Sequence, residues 1–241
     1  MGGQNFLIVQ HMDWEAPGEH LLAALQAGGV SFRILEAWHE PVPALDGFDG
    51  LIVLGGSPNV DEEEQFPYLA PLKEAIQQAL ALGKAYLGFC LGHQLLGHVL
   101  GCRVGPLPKK SVGFIGGELT QAGLAHPAFQ GLPVRPRLFK WHGQGVLPPL
   151  PGGIDILARS PAAPVEALGL AASPKVVGLQ FDNHVGMADI ERWLQFDAAW
   201  ALTGPGADAS SVLAAARSQE GEMGRNFRRF MNNFFQLTVG Q

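Results

Sequence analysis

The chain has 241 residues, of which 47% are hydrophobic and 16% charged, and its formal net charge is -6. The apolar content is sufficient for a large buried core, whereas the lack of a basic stripe argues against nucleic acid as a main partner, because binding phosphates requires clustered Lys and Arg. Two cysteines are too few for a disulfide scaffold. No apolar run is long enough to span a bilayer, and Met1 to Val9 lacks the features of a signal peptide. We therefore expect a cytoplasmic protein with no membrane segment.

Short apolar runs alternate with helical segments in the first hundred residues. The predicted strands are 6–9, 31–35, 50–54 and 85–89, and the predicted helices are 19–27, 69–82 and 92–100. Strands of this kind are buried on both faces. The alternation predicts an α/β fold in which a mostly parallel central sheet is flanked by helices and connected by right-handed crossovers.

The pattern changes after residue 113, where turn residues separate short extended runs. These runs are 113–119, 138–141, 154–158, 165–170 and 175–181. We expect them to add a few antiparallel strands at one side of the sheet.

The end of the chain is predicted to be helical. One helix is expected over 187–200, a loop over 203–207 and a second helical region over 210–237 with breaks at Gly221 and Gly224. Phenylalanines with helical spacing near the end indicate either core packing or a homodimer interface. The whole chain, 1–241, is therefore interpreted as a single domain whose C-terminal helical extension covers about 203–241.

The most informative segment, 85–94, reads Ala-Tyr-Leu-Gly-Phe-Cys-Leu-Gly-His-Gln. An apolar strand, a Gly-x-Cys-x-Gly turn and a helix are the parts of a nucleophile elbow, which projects one side chain above the sheet edge. The helix N-terminus would favour the thiolate of Cys90, and the backbone N–H of Leu91 would face the same space and could hold an oxyanion. A buried structural thiol is the simpler alternative for a lone cysteine, but the complete pattern favours Cys90 as a nucleophile, with Cys102 as a structural residue.

Three segments together resemble the class I glutamine amidotransferases, especially stand-alone members similar to the glutaminase part of GMP synthase. Segment 88–94, Gly-Phe-Cys-Leu-Gly-His-Gln, is similar to the nucleophile motif of that family. Segment 54–60, Leu-Gly-Gly-Ser-Pro-Asn-Val, resembles its oxyanion loop with the proline displaced by one position, and 177–181, Val-Gly-Leu-Gln-Phe, resembles the strand that leads to its catalytic His and Glu. Segment 140–143, Lys-Trp-His-Gly, adds support, and the resemblance extends to about Trp200.

The resemblance implies a flavodoxin-like fold and a Cys–His–Glu triad. In that chemistry the cysteine attacks the side-chain amide of glutamine, ammonia leaves, and water releases glutamate from a γ-glutamyl thioester. It implies an oxyanion hole at Gly56 and Leu91 and a substrate-binding role for Gln94, although Gln94 could equally be a polar residue of the first helical turn. The remaining expected substrate contacts are Gly55, Ser57 and His142. No cofactor is expected, and no Cys/His cluster has the spacing of a metal site.

The sequence departs from this family where its triad continues as Gln-Phe-His-Pro-Glu. Here the residues are Gln-Phe-Asp-Asn-His, so Asp182 occupies the position of the base and His184 that of the carboxylate. The catalytic set is therefore Cys90, Asp182 and His184, with roles that the sequence leaves open.

Three interpretations of this departure compete. The pair could have exchanged roles, with His184 as base and Asp182 orienting it, although a His two residues later should start farther from the sulfur. Alternatively, Asp182 lies beside the thiol, raises its pKa by like-charge repulsion and leaves glutaminase activity very low. In the third interpretation another histidine, His93 or His142, serves as the base.

Two functions follow from these readings. The first is a cysteine-dependent hydrolase of glutamine or another γ-glutamyl amide, with any ammonia passed to a separate acceptor protein. The second is a catalytically degenerate family member that binds a small ligand or a protein without turnover. The residues at 182 and 184 distinguish the two.

Overall fold

The computed structural model describes residues 3–203 and 208–239. Of the loop predicted over 203–207, residues 204–207 lie outside this part of the chain. The strands are β1 (Asn5–Gln10), β2 (Ser31–Glu36), β3 (Gly50–Val53), β4 (Ala85–Phe89), β5 (Arg103–Gly116), β6 (Glu118–Leu119), β7 (Arg137–Leu147), β8 (Ile154–Arg159), β9 (Ala167–Leu170) and β10 (Ser173–Leu179). The helices are α1 (Glu19–Gly28), α2 (Leu69–Ala81), α3 (Leu91–Val99), α4 (Gln121–Ala125), α5 (Met187–Ala201) and α6 (Ala209–Thr238).

Eight strands form the central sheet in the order β2-β1-β3-β4-β10-β9-β8-β6. The first five of these are parallel, and the pairings of β10 with β9, β9 with β8 and β8 with β6 are antiparallel. The mostly parallel α/β fold with a few antiparallel strands is thereby confirmed. The segment at 175–181 was expected to be an antiparallel addition, but β10 lies parallel to β4, with Val176 opposite Tyr86.

Strands β5 and β7 form a separate two-stranded sheet rather than joining the central one. Strand β5 begins at Arg103, ahead of the predicted run at 113, and its first half alternates between buried and exposed residues. Because Pro106, Pro108 and two lysines interrupt this half, the sequence there has no apolar run from which a strand could be predicted.

Helices cover both faces of the central sheet. Along β1, Phe6 and Ile8 point into one apolar cluster, and Leu7 and Val9 point into a second cluster on the opposite face. The period of two residues in a strand explains this division. A third cluster, which includes Trp14, Phe139, Trp141 and Trp193, lies around β7 and α5 beside the end of the sheet where β4 passes into α3.

Helix α6 is continuous from Ala209 to Thr238, so the breaks predicted at Gly221 and Gly224 are wrong. A Cβ atom on Gly224 would lie 2.6 Å from the ring of His20, which shows that this glycine allows α6 to pack closely on α1. The phenylalanine stripe of α6 is buried within this chain, with Phe230 and Phe234 in the same cluster as Phe6. The stripe is therefore core.

Within the described part of the chain, no helix combines the length and apolarity that crossing a membrane requires. Residues 3–203 and 208–239 also contain no group of three or more His, Cys, Asp or Glu side chains arranged to hold a metal ion.

Candidate active site

Cys90 forms the turn between β4 and α3 by itself. Strand β4 ends at Phe89, α3 begins at Leu91, and Cys90 has φ 43° and ψ -99°. It is the only non-glycine residue with a positive φ in the described ranges. Strained backbone of this kind persists where the surrounding structure enforces it, and here the Cys90 N–H donates to the Leu179 carbonyl over 2.8 Å.

The two glycines of the elbow are required by close backbone contacts. A Cβ atom on Gly88 would lie 2.5 Å from the carbonyl carbon of Gly92, and one on Gly92 would lie 2.2 Å from the carbonyl oxygen of Val53. Any side chain at these positions would push the strand and the helix apart. The Gly-x-Cys-x-Gly spacing is therefore a steric consequence of packing α3 directly onto β3 and β4.

The sulfur of Cys90 lies at the wall of a cavity of about 390 Å³. Its side chain is 7% exposed, and the thiol is placed to donate weakly to the Trp141 carbonyl over 4.0 Å and to accept from Gln180 Nε2 over 3.7 Å. The cavity is lined by residues from several segments: Glu15, Gly56, Ser57, Pro58, Asn59, Cys90, Gln94, Lys110, Trp141, His142, Gly143, Gln144, Asp197 and Trp200.

The pKa of the Cys90 thiol is raised well above its ordinary value. Burial is the largest cause, followed by the negative charges of Asp182 and Glu15. Lys140 and the Leu91 N–H act in the opposite direction but do not prevail. The Leu91 N–H at the start of α3 thus favours the thiolate, as expected, but burial and two carboxylates outweigh it, and the net shift is toward the thiol.

Most of the sequence-predicted site residues converge on this cavity. Gly56, Ser57, Gln94 and His142 line it together with Cys90. Gly55 lies just behind, since a Cβ atom there would be 3.3 Å from the Cys90 Cβ and 3.5 Å from an oxygen of Asp182.

Gln94 and His142 are held by the same stretch of backbone. Gln94 Nε2 donates to the carbonyl of Gln144 over 3.1 Å and lies 3.3 Å from the side-chain oxygen of Gln180. His142 Nδ1 lies 2.9 Å from the Gln144 carbonyl, so it is the protonated nitrogen. Burial and the charge of Lys140 keep the pKa of His142 well below its ordinary value, and the ring is neutral.

Asp182 is a buried carboxylate without a hydrogen-bond partner. It is 1% exposed, neither carboxylate oxygen is hydrogen-bonded, and burial raises its pKa. Its backbone N–H donates to Phe139 over 2.9 Å, and the side chain of the next residue, Asn183, is bonded to the backbone of Phe139 and Arg137. The backbone of this segment is thus fixed with a carboxylate beside the sulfur.

His184 packs among aromatic rings instead of facing the sulfur. Its ring lies 4.6 Å from that of Phe89 and 6.3 Å from that of Trp193. Nε2 is 3.7 Å from Asp182, which is too far for a hydrogen bond, and neither ring nitrogen has a hydrogen-bond partner. If His184 were the base, its ring would have to make a hydrogen bond to Cys90. Within the described residues, His184 makes no such bond. Asp182, His184, Gly55 and Leu91 do not themselves line the cavity.

Two buried charges near the sulfur were not assigned roles from the sequence. Lys140 forms an ion pair with Glu166, and both side chains are fully buried. Ser160 donates a further hydrogen bond of 2.6 Å to Glu166. This pair joins β7 to the central sheet. The positive charge of Lys140 lowers the pKa of the Cys90 thiol, whereas the negative charges of Asp182 and Glu15 raise it. Lys140 also lowers the pKa of Asp182.

Glu15 belongs to segment 11–15, which follows strand one at the carboxyl edge of the sheet and which the sequence allows to be either part of a substrate entrance or a surface loop whose aromatic residue packs down. Trp14 does pack down, edge-on to Trp193 and stacked on Phe196. Glu15 instead lines the cavity, where it is 7% exposed and one carboxylate oxygen lacks a hydrogen-bond partner. An acidic residue directly after strand one, at the edge of the sheet where ligands bind, was the available signal.

The sequence matches one described protein family and is similar to several individual proteins. The family described as glutamine amidotransferase class-I matches residues 18–182. A glutamine-hydrolyzing GMP synthase from Aeropyrum pernix is 34% identical over 62% of this chain, but the match spans only 29% of that protein. The glutamine amidotransferase-like protein YfeJ from Salmonella typhimurium is 36% identical over 65% of this chain and 66% of its own, and a GMP synthase subunit from Saccharolobus solfataricus is 33% identical over 61% and 73%.

Solved structures agree with the fold. A glutamine amidotransferase from Thermotoga maritima superposes with a TM-score of 0.87 over the full length of both chains at 24% identity. A glutamine amido transferase from Methylobacillus flagellatus gives a TM-score of 0.86 over 98% of this chain and 96% of its own at 22% identity. At this level of identity the likeness concerns the fold alone.

Proposed function

The chain belongs to the class I glutamine amidotransferase family, and from that membership we propose that the cavity at Cys90 binds glutamine or another γ-glutamyl amide and hydrolyses it slowly, through a thioester on Cys90. The observation that carries the proposal is the pairing of a strained, cavity-facing Cys90 with a buried Asp182 where the family has its base. In this proposal Cys90 and the residues around it would bind and attack the amide, whereas Asp182 replaces the histidine that would transfer the proton.

The thioester step would use atoms already in place. The sulfur attacks the amide carbon, the C–N bond breaks, and the nitrogen leaves after gaining a proton. Backbone N–H groups of Gly56 and Leu91 would hold the oxyanion, and water would then release glutamate and restore the thiol. Gln94 and His142, which the Gln144 carbonyl holds in place, would position the glutamyl part of the ligand together with Ser57, and Gly55 would leave room beside Cys90.

Asp182 would make this step slow near neutral pH. The nucleophile is the thiolate, and both burial and the carboxylate oppose its formation. A positioned base contributes roughly 10²- to 10⁴-fold to such a reaction. His184 does not take over this role in our proposal, because its ring nitrogens make no hydrogen bond and its ring packs on Phe89.

A second function, ligand binding without turnover, is favoured by the same carboxylate. In that case the thiol would never reach the thiolate at physiological pH, and the occupied cavity would serve as a signal to a partner. If the chain does release ammonia, the acceptor we propose is a separate protein, since one relative is named as a subunit of GMP synthase.

Ammonia release from glutamine tests the proposal. We compare the wild type with Asp182→His and with Asp182→His/His184→Glu, which restores the residue types of the family. We expect very slow release by the wild type and an increase of about 10²-fold or more in the double variant. His184→Glu alone is the matched control and should stay slow.

Adding Cys90→Ala to the restored variant should abolish the release. Wild-type release that is as fast as that of the restored variant and depends on Cys90 would contradict the slow thioester. Release that survives Cys90→Ala would overturn the role of Cys90. A wild type that binds glutamine but releases no ammonia would establish the second function.

A further inference from the structure

The cavity has a part that the chemistry at the sulfur does not use. Its volume of about 390 Å³ lies in the range, roughly 300–1,000 Å³, that holds drug-sized ligands. This is more room than a single amino acid fills. Beyond Cys90 the lining continues to two carboxylates, Glu15 and Asp197, and to the indole rings of Trp141 and Trp200.

Glu15 is the unusual member of this region. Its side chain is more than nine-tenths buried, it makes no hydrogen bond through one of its oxygens, and it faces the cavity. The charges acting on its pKa are two further carboxylates, Asp182 and Asp197. A buried carboxyl without a positive partner holds its proton, because the charged form is costly to bury, so a cationic ligand group would stabilise the carboxylate form.

The surroundings of Glu15 also suit a cation. Asp197 is held in place by a 2.8 Å hydrogen bond from Trp141 Nε1. Indole rings attract ammonium groups to their faces, and this region already shows such a contact, with Lys110 Nζ 4.0 Å from the centroid of the Trp200 ring. Lys110 also bonds Thr203 over 2.8 Å, and its charge acts on Asp197 rather than on Glu15.

The position of Glu15 identifies which end of a ligand it would meet. Glu15 lines the same cavity as Cys90, and Asp197 is bonded to Trp141, whose carbonyl lies 4.0 Å from the sulfur. Gln94 and His142 are bonded to the Gln144 carbonyl instead. With the glutamyl part on Gln94 and His142, as proposed above, substituents on the leaving nitrogen would extend toward Glu15 and Asp197.

Resting on the proposed function, we infer that Glu15, assisted by Asp197, is a cation subsite and that the ligand of this chain is the γ-glutamyl amide of a diamine. The amide nitrogen would lie at the sulfur, and the second, protonated amine would pair with Glu15. Hydrolysis would leave the γ-glutamyl group on Sγ and release the diamine, which takes one proton as the C–N bond breaks. Glutamine, which lacks the second amine, would be the weaker ligand.

Binding to the full chain carrying Cys90→Ala, which blocks turnover, tests this inference by calorimetry. The probes are the γ-glutamyl amide of 1,4-diaminobutane, the matched neutral N-butyl γ-glutamyl amide, and glutamine. We expect the diamine amide to bind about tenfold or more tightly than the butyl amide, as a charge-assisted hydrogen bond provides. Glu15→Gln should remove that preference and leave the affinity for the butyl amide unchanged.

Proton release gives a second readout. Burial holds the pKa of Glu15 well above its ordinary value, so a cation that stabilises the carboxylate should expel a proton. Calorimetry in buffers of different ionisation enthalpy should show this release with the diamine amide but not with the butyl amide. Asp197→Asn, which can still accept from Trp141, should reduce the preference by a smaller factor and serves if Glu15→Gln does not fold.

Equal affinity for the diamine and butyl amides, or a preference that survives Glu15→Gln, would overturn the cation subsite. If glutamine binds in the same experiment, only this inference is lost, and the proposed hydrolysis is still decided by ammonia release from the wild type. If no γ-glutamyl amide and no glutamine binds, both fail together.

Discussion

The two sides of the cavity differ in how closely they keep the arrangement that the family sequence implies. On the nucleophile side, the elbow at Cys90 has the strained φ and the glycine contacts with Val53 and Gly92 that a projecting side chain requires. On the base side, which is segment 182–184 behind the cavity lining, the backbone is equally fixed, but the segment places a carboxylate near Cys90 and packs its histidine against Phe89.

This difference indicates that the scaffold and the proposed proton transfer depend on different kinds of interaction. The elbow depends on backbone contacts, so changing it would affect the fold itself. The base side depends on the identity of two side chains, so it can change while the backbone stays the same. We therefore expect variants on the nucleophile side to affect stability and variants on the base side to affect the chemistry of the thiol.

The largest effect is expected on the nucleophile side, from Gly92→Ala. The added Cβ would lie 2.2 Å from a backbone oxygen of the central sheet, which has little freedom to move. We expect the free energy of unfolding to fall by about 4 kcal/mol or more, measured by urea denaturation. Gly47→Ala is the control, because no atom lies within 4 Å of a Cβ there, and a similar loss in both variants would contradict the steric account.

The buried ion pair gives the next largest effect. Lys140→Met leaves Glu166 buried without its cation, and we expect a loss of about 3–5 kcal/mol. Adding Glu166→Gln removes the stranded charge and keeps an acceptor for Ser160, so the double variant should recover most of the stability in the same measurement. A double variant as unstable as Lys140→Met alone would show that packing, and not charge, is what Lys140 supplies.

The free energy of unfolding is also expected to fall in acid, because His93, on the helix α3 that follows the elbow, is buried. Burial lowers its pKa from 6.5 to about 3, so below pH 6.5 the unfolded chain binds a proton that the folded chain does not. Unfolding is then favoured as the pH falls, by about 2 kcal/mol between pH 7 and pH 5 for this one residue. His93→Gln should reduce the loss of stability over that interval by this amount, and an unchanged pH dependence would contradict the burial of a neutral His93.

The sequence predicted the fold well where local pattern and tertiary packing agree. The parallel strands and the elbow were predictable because strands buried on both faces are continuous apolar runs, and because the glycines at 88 and 92 punctuate the turn. Strand β5 and the continuity of α6 could not be predicted. The prolines of β5 and the glycines of α6 locally favour a break, and contacts with residues distant in sequence hold both elements together.

The site was predictable only in part, for a related reason. Residues next to a motif, such as Gln94 and His142, could be identified from the sequence because they lie in segments that resemble the family. Glu15 was indicated only by its place directly after strand one. The pair formed by Lys140 and Glu166 had no local signal, because its significance arises from burial and from partners on other elements. The orientation of His184 toward Phe89 and Trp193 was likewise fixed by packing that no spacing rule conveys.

The pKa of the Cys90 thiol tests most directly whether segment 182–184 holds the proposed nucleophile in its protonated form. Alkylation rates with iodoacetamide would be measured against pH in a Cys102→Ala background, so that Cys90 is the single thiol, with exposed Asp46→Asn as control. At the alkaline pH where the thiol titrates, Asp182 is ionised and opposes the thiolate. We predict that Asp182→Asn lowers the midpoint by about one pH unit or more, whereas a midpoint unchanged from the Asp46→Asn control would contradict the account.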